Sequence, residues 1–264
     1  VLENIFLPLG MTHSFYGDNE PVIAGRVSGY GREGGKPEGP MTNAAYLSMK
    51  KPYSAGSLLS SVDDLALWDA SLYTDKLLTE DSRRRLVTPY VLKDGKNTHY
   101  AYGFGIGEYE GHPVVSHGGG INGFLTYGLR MPSDHVYVAL LTNRDWPPGP
   151  EYFARQIAAL AIGRPVKVPV AMTLPESAIG ALVGVYRIDP KTTRTITREG
   201  SRLFSERTDG GKEEVFAESN LRLFYKDSFA RLVFETDGKG KVTRVVLRDD
   251  AFEEPAVRTD DSPK

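Results

Sequence analysis

Between Ala101 and Asn143 the chain reads as four extended runs joined by short turns, and this spacing restricts the fold more than any other feature. Ala101–Tyr109 and Pro113–His117 are separated by Glu110-Gly111-His112, and Phe124–Met131 and Val136–Asn143 by Pro132-Ser133-Asp134-His135. A parallel crossover needs a dozen or more residues, so connections this short require antiparallel neighbours. Val136-Tyr137-Val138-Ala139-Leu140-Leu141 is nearly continuously apolar, which predicts a strand covered on both faces. Phe153, Ile157, Ala158 and Leu160 recur at helical spacing and predict a helix from about Glu151 to Ile162 as that cover.

Upstream the signals are helical or irregular. Leu2, Ile5 and Phe6 share one side of an amphipathic helix that Pro8 is expected to stop, so the chain reads as starting in mid-domain. Residues 10–57 are rich in Gly, Pro, Ser and Asn and read as loops, with a short strand around Ala24–Tyr30. Ser61-Val62-Asp63-Asp64 forms a capping box ahead of Leu65, Trp68 and Leu72, which predicts a helix. A second short helix is expected from Thr79 or Asp81 to just before Pro89, with Arg83-Arg84-Arg85 on its solvated face.

Arg164–Pro175 holds three prolines and little periodicity and reads as a linker. Beyond it seven short strand-like runs follow: Leu182–Arg187, Thr193–Thr197, Arg202–Glu206, Glu214–Ala217, Leu221–Tyr225, Arg231–Thr236 and Val242–Leu247. Glu199-Gly200, Asp209-Gly210-Gly211 and Asp237-Gly238-Lys239-Gly240 are hairpin signals between them. The reading is therefore α+β: an antiparallel sheet with flanking helices over residues 1–163, a linker over 164–176, and a small all-β antiparallel barrel over 177–264.

Composition excludes several functions. The chain has no cysteine, so disulfides, thiolate metal sites and a cysteine nucleophile are ruled out. A net charge of −2 gives no electrostatic reason to expect nucleic acid as a partner. No apolar run is long enough to span a bilayer, and Val1–Phe6 lacks the basic and apolar regions of a signal peptide. The five histidines include no pair at metal-ligand spacing, so no metal or cofactor is expected. Gly118-Gly119-Gly120-Ile121-Asn122-Gly123 fits a dinucleotide fingerprint by letter alone, because Phe124-Leu125-Thr126-Tyr127 continues as strand where a helix would have to begin.

Five segments, in order, carry a family resemblance. They are Ile5-Phe6-Leu7-Pro8-Leu9-Gly10-Met11-Thr12, Ala55-Gly56-Ser57 with the capped run to Leu65, Tyr102-Gly103-Phe104-Gly105, His117-Gly118-Gly119, and Leu141-Thr142-Asn143. Together they resemble the C-terminal portion of β-lactamase-related serine hydrolases, the class C β-lactamase and penicillin-binding protein-like family. Leu182-Val183-Gly184-Val185-Tyr186 and its following hairpins resemble the lipocalin-like barrel appended to many of them. The resemblance implies an incomplete β-lactamase/transpeptidase-like domain and a hydrolase that works through an acyl-enzyme on amide, ester or β-lactam carbonyls of a small molecule or peptide. It also implies an exported protein.

Members of that family use a Ser-x-x-Lys, a Tyr-x-Asn or Ser-x-Asn, and a Lys-Thr-Gly or His-x-Gly. Here the third is matched by His117-Gly118-Gly119, which makes His117, Gly118, Gly119 and Gly120 the expected substrate-binding wall. Glycines there keep side chains out of the way of a substrate lying along the strand. The resemblance gives the Gly120 N–H half of an oxyanion hole, and His117 a place beside a substrate carboxylate or in the hydrogen-bond network around the tyrosine and lysine. Tyr-x-Asn does not occur, and the one Ser-x-x-Lys, Ser48-Met49-Lys50-Lys51, runs into Pro52, which disfavours the helix such a pair needs. The nucleophile, its lysine and the tyrosine are therefore expected from an N-terminal half outside these residues, and the chain alone is expected to be inactive. The alternative is a fragment without chemistry whose barrel binds an apolar ligand or peptide, with Leu203, Phe216, Phe224 and Phe234 lining it.

Overall fold

The computed structural model describes residues 1–17, 20–35, 38–249 and 252–259, with the backbone alone at Phe252. They divide into two units, Val1–Val166 and Lys167–Lys264.

The first unit opens with one π-helical turn, Leu2–Phe6, that runs into α1 (Leu7–Leu9). Pro8 does not end this helix. It falls in the first two positions of α1, where a missing N–H costs little. The stop comes at Gly10, in the left-handed region at φ 73°. Met11 N–H donates to the Phe6 carbonyl at 2.9 Å and Gly10 N–H to the Leu7 carbonyl at 3.2 Å, the double bond pattern of a glycine-terminated helix. Phe6, Leu9 and Met11 bury together, with Trp68 and Leu77 against them.

Four short strands follow: β1 (Phe15–Tyr16), β2 (Tyr30–Arg32), β3 (Met41–Asn43) and β4 (Leu58–Leu59). β1 pairs with β4 and β2 with β3. The extended segment expected around Ala24–Tyr30 is paired only from Tyr30 onward, where Gly31 and Arg32 find partners across β3. Helix α2 (Val62–Ser71) starts where its capping box predicts, with the Ser61 side chain accepting from Asp64 N–H. The buried Asp64 carboxylate also accepts from His13 N–H at 2.8 Å and Ser14 Oγ at 2.7 Å. α3 (Glu80–Leu86) is capped by Thr79. Arg83 folds back past the helix start, donating to the Leu78 carbonyl at 2.7 Å and pairing with Asp75 at 2.6 Å, while Arg84 pairs with Asp81 in the first turn.

The main sheet is β5 (Gly105–Tyr109), β6 (His112–Ile121), β7 (Phe124–Met131) and β8 (Val136–Thr142), antiparallel and in that order. Helix α4 (Pro150–Ala161) covers the face that carries Tyr127, Leu129, Met131 and Val138. Its Ala154 and Ala158 are fully buried, and their small side chains let the helix lie close to the sheet. On the opposite face Arg130 of β7 meets Asp69 of α2 at 2.8 Å.

The second unit begins with residues read as linker that in fact join its barrel. Met172 N–H donates to the Ala217 carbonyl at 2.9 Å, and Leu174 is buried. Helix α5 (Glu176–Leu182) takes up Leu182, expected as a strand residue, and buries Ile179 and Leu182. Strands β9 (Gly184–Arg187), β10 (Thr193–Glu199), β11 (Arg202–Arg207), β12 (Lys212–Ser219), β13 (Arg222–Tyr225), β14 (Arg231–Thr236), β15 (Val242–Asp249) and β16 (Phe252–Arg258) close into an eight-stranded antiparallel barrel. β16 has no counterpart among the seven expected runs. β16 nevertheless pairs with β15 and closes on β9.

Candidate active site

The expected site lies on β6, and the strand itself is longer than the Pro113–His117 run: it continues through all three glycines to Ile121. Glycine has low strand propensity, so this extension comes from pairing. β7 holds it through Gly118↔Tyr127, Gly119↔Thr126 and Gly120↔Leu125.

On its other side β6 is only half covered. β5 pairs with it from Tyr109↔His112 to Gly105↔Ser116 and then stops. The two-residue turn Glu110-Gly111 closes on the Tyr109↔His112 pair, and a pair closing such a hairpin exchanges both backbone hydrogen bonds. Backbone groups alternate sides along a strand, so those of His112, Val114, Ser116, Gly118 and Gly120 turn toward the β5 side. The second hairpin agrees: Asn122-Gly123 closes on Ile121↔Phe124, which turns Ile121 toward β7 and Gly120 away from it. Past Ser116, then, the N–H and C=O of Gly118 and Gly120 point to an edge that no described strand pairs.

Side chains alternate too. Val115, His117 and Gly119 share one face, opposite Arg130, Gly128 and Thr126 on β7. A Cβ on Gly119 would sit 2.6 Å from Thr126 Oγ1, so any side chain there requires Thr126 to move. Ser116 and Gly118 face the α4 side, where Tyr127 Oη donates to Ser116 Oγ at 3.0 Å. Burial pushes the Tyr127 phenol above its ordinary range.

His117 is exposed, and its Nε2 lies 3.0 Å from Tyr100 Oη. Tyr100 precedes β5 in a loop tied back to that strand, where Ile106 N–H donates to the His99 carbonyl at 2.8 Å. Sequence reasoning missed Tyr100, because nothing local separates it from Tyr102 two residues on; only the fold brings one of them to His117. The far end of the glycine strand is clamped from other segments. Asn122 donates to the Ala45 carbonyl at 3.0 Å, and Gly123 N–H donates to the Asp145 carboxylate at 2.8 Å. Gly123, at φ 80°, is packed so closely that a Cβ would meet Ala44 at 2.5 Å and the Gly29 backbone at 2.7 Å.

Ser48 and Lys51 lie in a turn, with Lys51 N–H donating to the Ser48 carbonyl at 3.0 Å, and not on one face of a helix. In the barrel, Leu203 and Phe234 are inside with Leu223, Leu232, Val245 and Tyr186. Phe216 and Phe224 pair across β12 and β13 on the outer face, one residue out of step with buried Val215, Ala217 and Leu223. A polar group completes the interior: Arg194 donates to Glu254 at 2.8 Å, to Tyr225 Oη at 3.0 Å and to Ser205 Oγ at 3.1 Å. Among the described residues no cluster of His, Asp and Glu could hold a metal ion, and no helix is long and apolar enough to cross a membrane.

An antiparallel sheet with flanking helices and a half-open, glycine-bearing strand, joined to a closed barrel, defines an α+β protein of the kind that includes β-lactamases and penicillin-binding proteins. The Beta-lactamase family description matches residues 1–162, and the chain belongs to that family. Residues 168–261 match a second family, a domain of unknown function. The chain is 26% identical over 212 residues to Penicillin-binding protein 4* of Bacillus subtilis (strain 168), covering 77% of this chain and 47% of that protein. It is 24% identical over 185 residues to a D-aminopeptidase of Gluconobacter oxydans (strain 621H), covering 69% of this chain and 33% of that protein. It thus spans less than half the length of either relative. A solved octameric penicillin-binding protein homologue from Pyrococcus abyssi shares the fold at TM-score 0.56 and 21% identity, over 97% of this chain and 57% of that one.

Proposed function

We propose that this chain forms one wall of a serine-hydrolase site that acts through an acyl-enzyme on an amide, ester or β-lactam carbonyl. The observation that carries the reading is the unpaired edge of β6 from His117 to Gly120, with the backbone of Gly118 and Gly120 turned toward it. A peptide-like substrate lies along such an edge as an added strand. The Gly120 N–H then donates to the developing oxyanion, and His117 offers a hydrogen bond to a substrate carboxylate or to the hydroxyl of the attacking group. Membership of the β-lactamase family, and likeness to a penicillin-binding protein and a D-aminopeptidase, support this chemistry. The same likeness supports an exported protein, and the closed antiparallel barrel supports the lipocalin-like reading of residues 177–264.

The nucleophile, its lysine and the tyrosine come, on this reading, from residues outside these 264. Ser48 and Lys51 sit in a turn, which removes the helical geometry that activates such a serine. The outer edge of β8 pairs with no described strand of the main sheet, and Leu2, Leu7, Val62 and Leu67 are exposed, as surfaces that another half of the domain would cover. Native mass spectrometry of the protein from its own cells tests for that half.

The 264-residue chain alone is expected to leave nitrocefin and p-nitrophenyl acetate unchanged. Turnover that disappears in Ser48→Ala would overturn the placement of the nucleophile. In a polypeptide that also carries both other motifs, His117→Ala is expected to lower kcat/KM about 100- to 1000-fold, the range for removing one positioned donor. An unchanged kcat/KM would remove His117 from the site.

The alternative, a barrel that binds an apolar ligand, has less behind it. Of its four expected lining residues two face outward, and apolar side chains with the Arg194–Glu254 pair occupy the interior.

A further inference from the structure

We infer that Tyr100 is a positioning residue for His117: its phenol donates to Nε2 and holds the neutral imidazole as the tautomer protonated on Nδ1. The inference rests on the reading of His117 as a site residue, and it assigns the proton that the ring presents. Three observations carry it.

The first is contact. Tyr100 Oη and His117 Nε2 are 3.0 Å apart, with ring centroids 6.0 Å apart and planes at 60°, so the hydroxyl reaches the nitrogen at the edge of the imidazole. Among the described residues this is the one side-chain hydrogen bond of His117.

The second is that Tyr100 is held by its backbone. Tyr90 N–H donates to the Tyr100 carbonyl at 2.9 Å, and Tyr100 N–H donates to Thr98 Oγ1 at 3.3 Å. Ala101 N–H donates to the Phe104 carbonyl at 2.8 Å, and Tyr100 bridges to Gly105, the first residue of β5. β5 in turn pairs with β6 at Gly105↔Ser116, one residue before the histidine. The loop and the strand are therefore one hydrogen-bonded piece, and the phenol is delivered to Nε2 by the fold.

The third is chemical. A phenol is a better donor than acceptor, whereas the unprotonated nitrogen of a neutral imidazole is a good acceptor and which nitrogen carries the proton follows from the bond the other makes. With Nε2 accepting, Nδ1–H becomes the ring's donor. A substrate carboxylate or hydroxyl beside His117 meets that N–H.

The test is spectroscopic and needs no turnover, so it can fail while the hydrolase reading stands, or hold while that reading fails. The 264-residue chain is labelled with 15N-histidine and its ring nitrogens are followed by long-range 1H–15N correlation at a pH where His117 is neutral. In the wild type the Nε2 shift is expected in the acceptor range, well separated from a protonated Nδ1. Tyr100→Phe is expected to lose that separation as the ring mixes tautomers, and Tyr102→Phe to leave it intact. Backbone signals of Gly118–Gly120 report that the strand is preserved in both variants. A wild-type His117 protonated on Nε2, or a Tyr100→Phe spectrum that matches the wild type, would overturn the inference.

Discussion

Asp69 of α2 and Arg130 of β7 meet at 2.8 Å with side chains only 10% and 7% exposed, and so pin a helix to the face of the sheet that also carries His117. The Arg130 guanidinium lies 4.8 Å from the Tyr73 ring, which stacks on His135 at 4.7 Å. Burial pushes the Asp69 carboxyl above its usual range, even against the pull of Arg130. Desolvation therefore outweighs the attraction, and the pair has more to lose by being broken than by being replaced. Asp69→Ala is expected to destabilise the first unit by about 3–5 kcal/mol in urea unfolding. The double substitution Asp69→Leu with Arg130→Met is expected to cost much less, and equal costs would contradict this account.

Gly119 and Thr126 predict a second outcome. A methyl on Gly119 would lie 2.6 Å from Thr126 Oγ1, so Gly119→Ala is expected to cost about 1–3 kcal/mol by overpacking. Adding Thr126→Ala removes the clash and should restore most of the loss. A double mutant no more stable than Gly119→Ala alone would place the strain elsewhere.

Two glycines at similar φ should respond differently. Gly10, at φ 73°, has open space around its Cβ position, so Gly10→Ala costs only the left-handed strain of about 1–2 kcal/mol. Gly123, at φ 80°, would in addition drive a methyl into Ala44 and the Gly29 backbone. Gly123→Ala is expected to exceed Gly10→Ala clearly in lost stability and to raise amide exchange along Gly118–Ile121. Equal effects in thermal unfolding would show that the clamp is soft.

In the barrel, burial pushes Tyr186 up to about 12, while its hydroxyl donates to the Leu182 carbonyl at 2.7 Å. A phenol raised in the folded state stabilises fully below the unfolded value near 10, and that stability is lost as pH rises toward 12. The loss is about 2–3 kcal/mol over that window. Tyr186→Phe is expected to be less stable at neutral pH and to show a flatter decline between pH 10 and 12. A parallel decline in both proteins would assign the alkaline loss to other groups.

Much of this architecture is legible in the residues themselves. Short turns after Tyr109 and Met131 force antiparallel order, Ser61 and Thr79 mark helix starts, and alternation sets His117 and Gly119 on one face. These are local facts, fixed by turn length, capping and side-chain period. Pro8 misled because proline marks a boundary only where its missing N–H is needed, and in the first turn of a helix it is not.

The half-open edge on which the proposed function rests was decided by tertiary structure. Three glycines in a row have no strand preference, and only β7 on one side, with β5 stopping at Gly105 on the other, makes them a half-open edge. Tyr100 reaches His117 across seventeen residues of chain because a loop and two strands are hydrogen-bonded together. The sequence by itself determined which groups are available; pairing, through contacts distant in the chain, determined which of them meet.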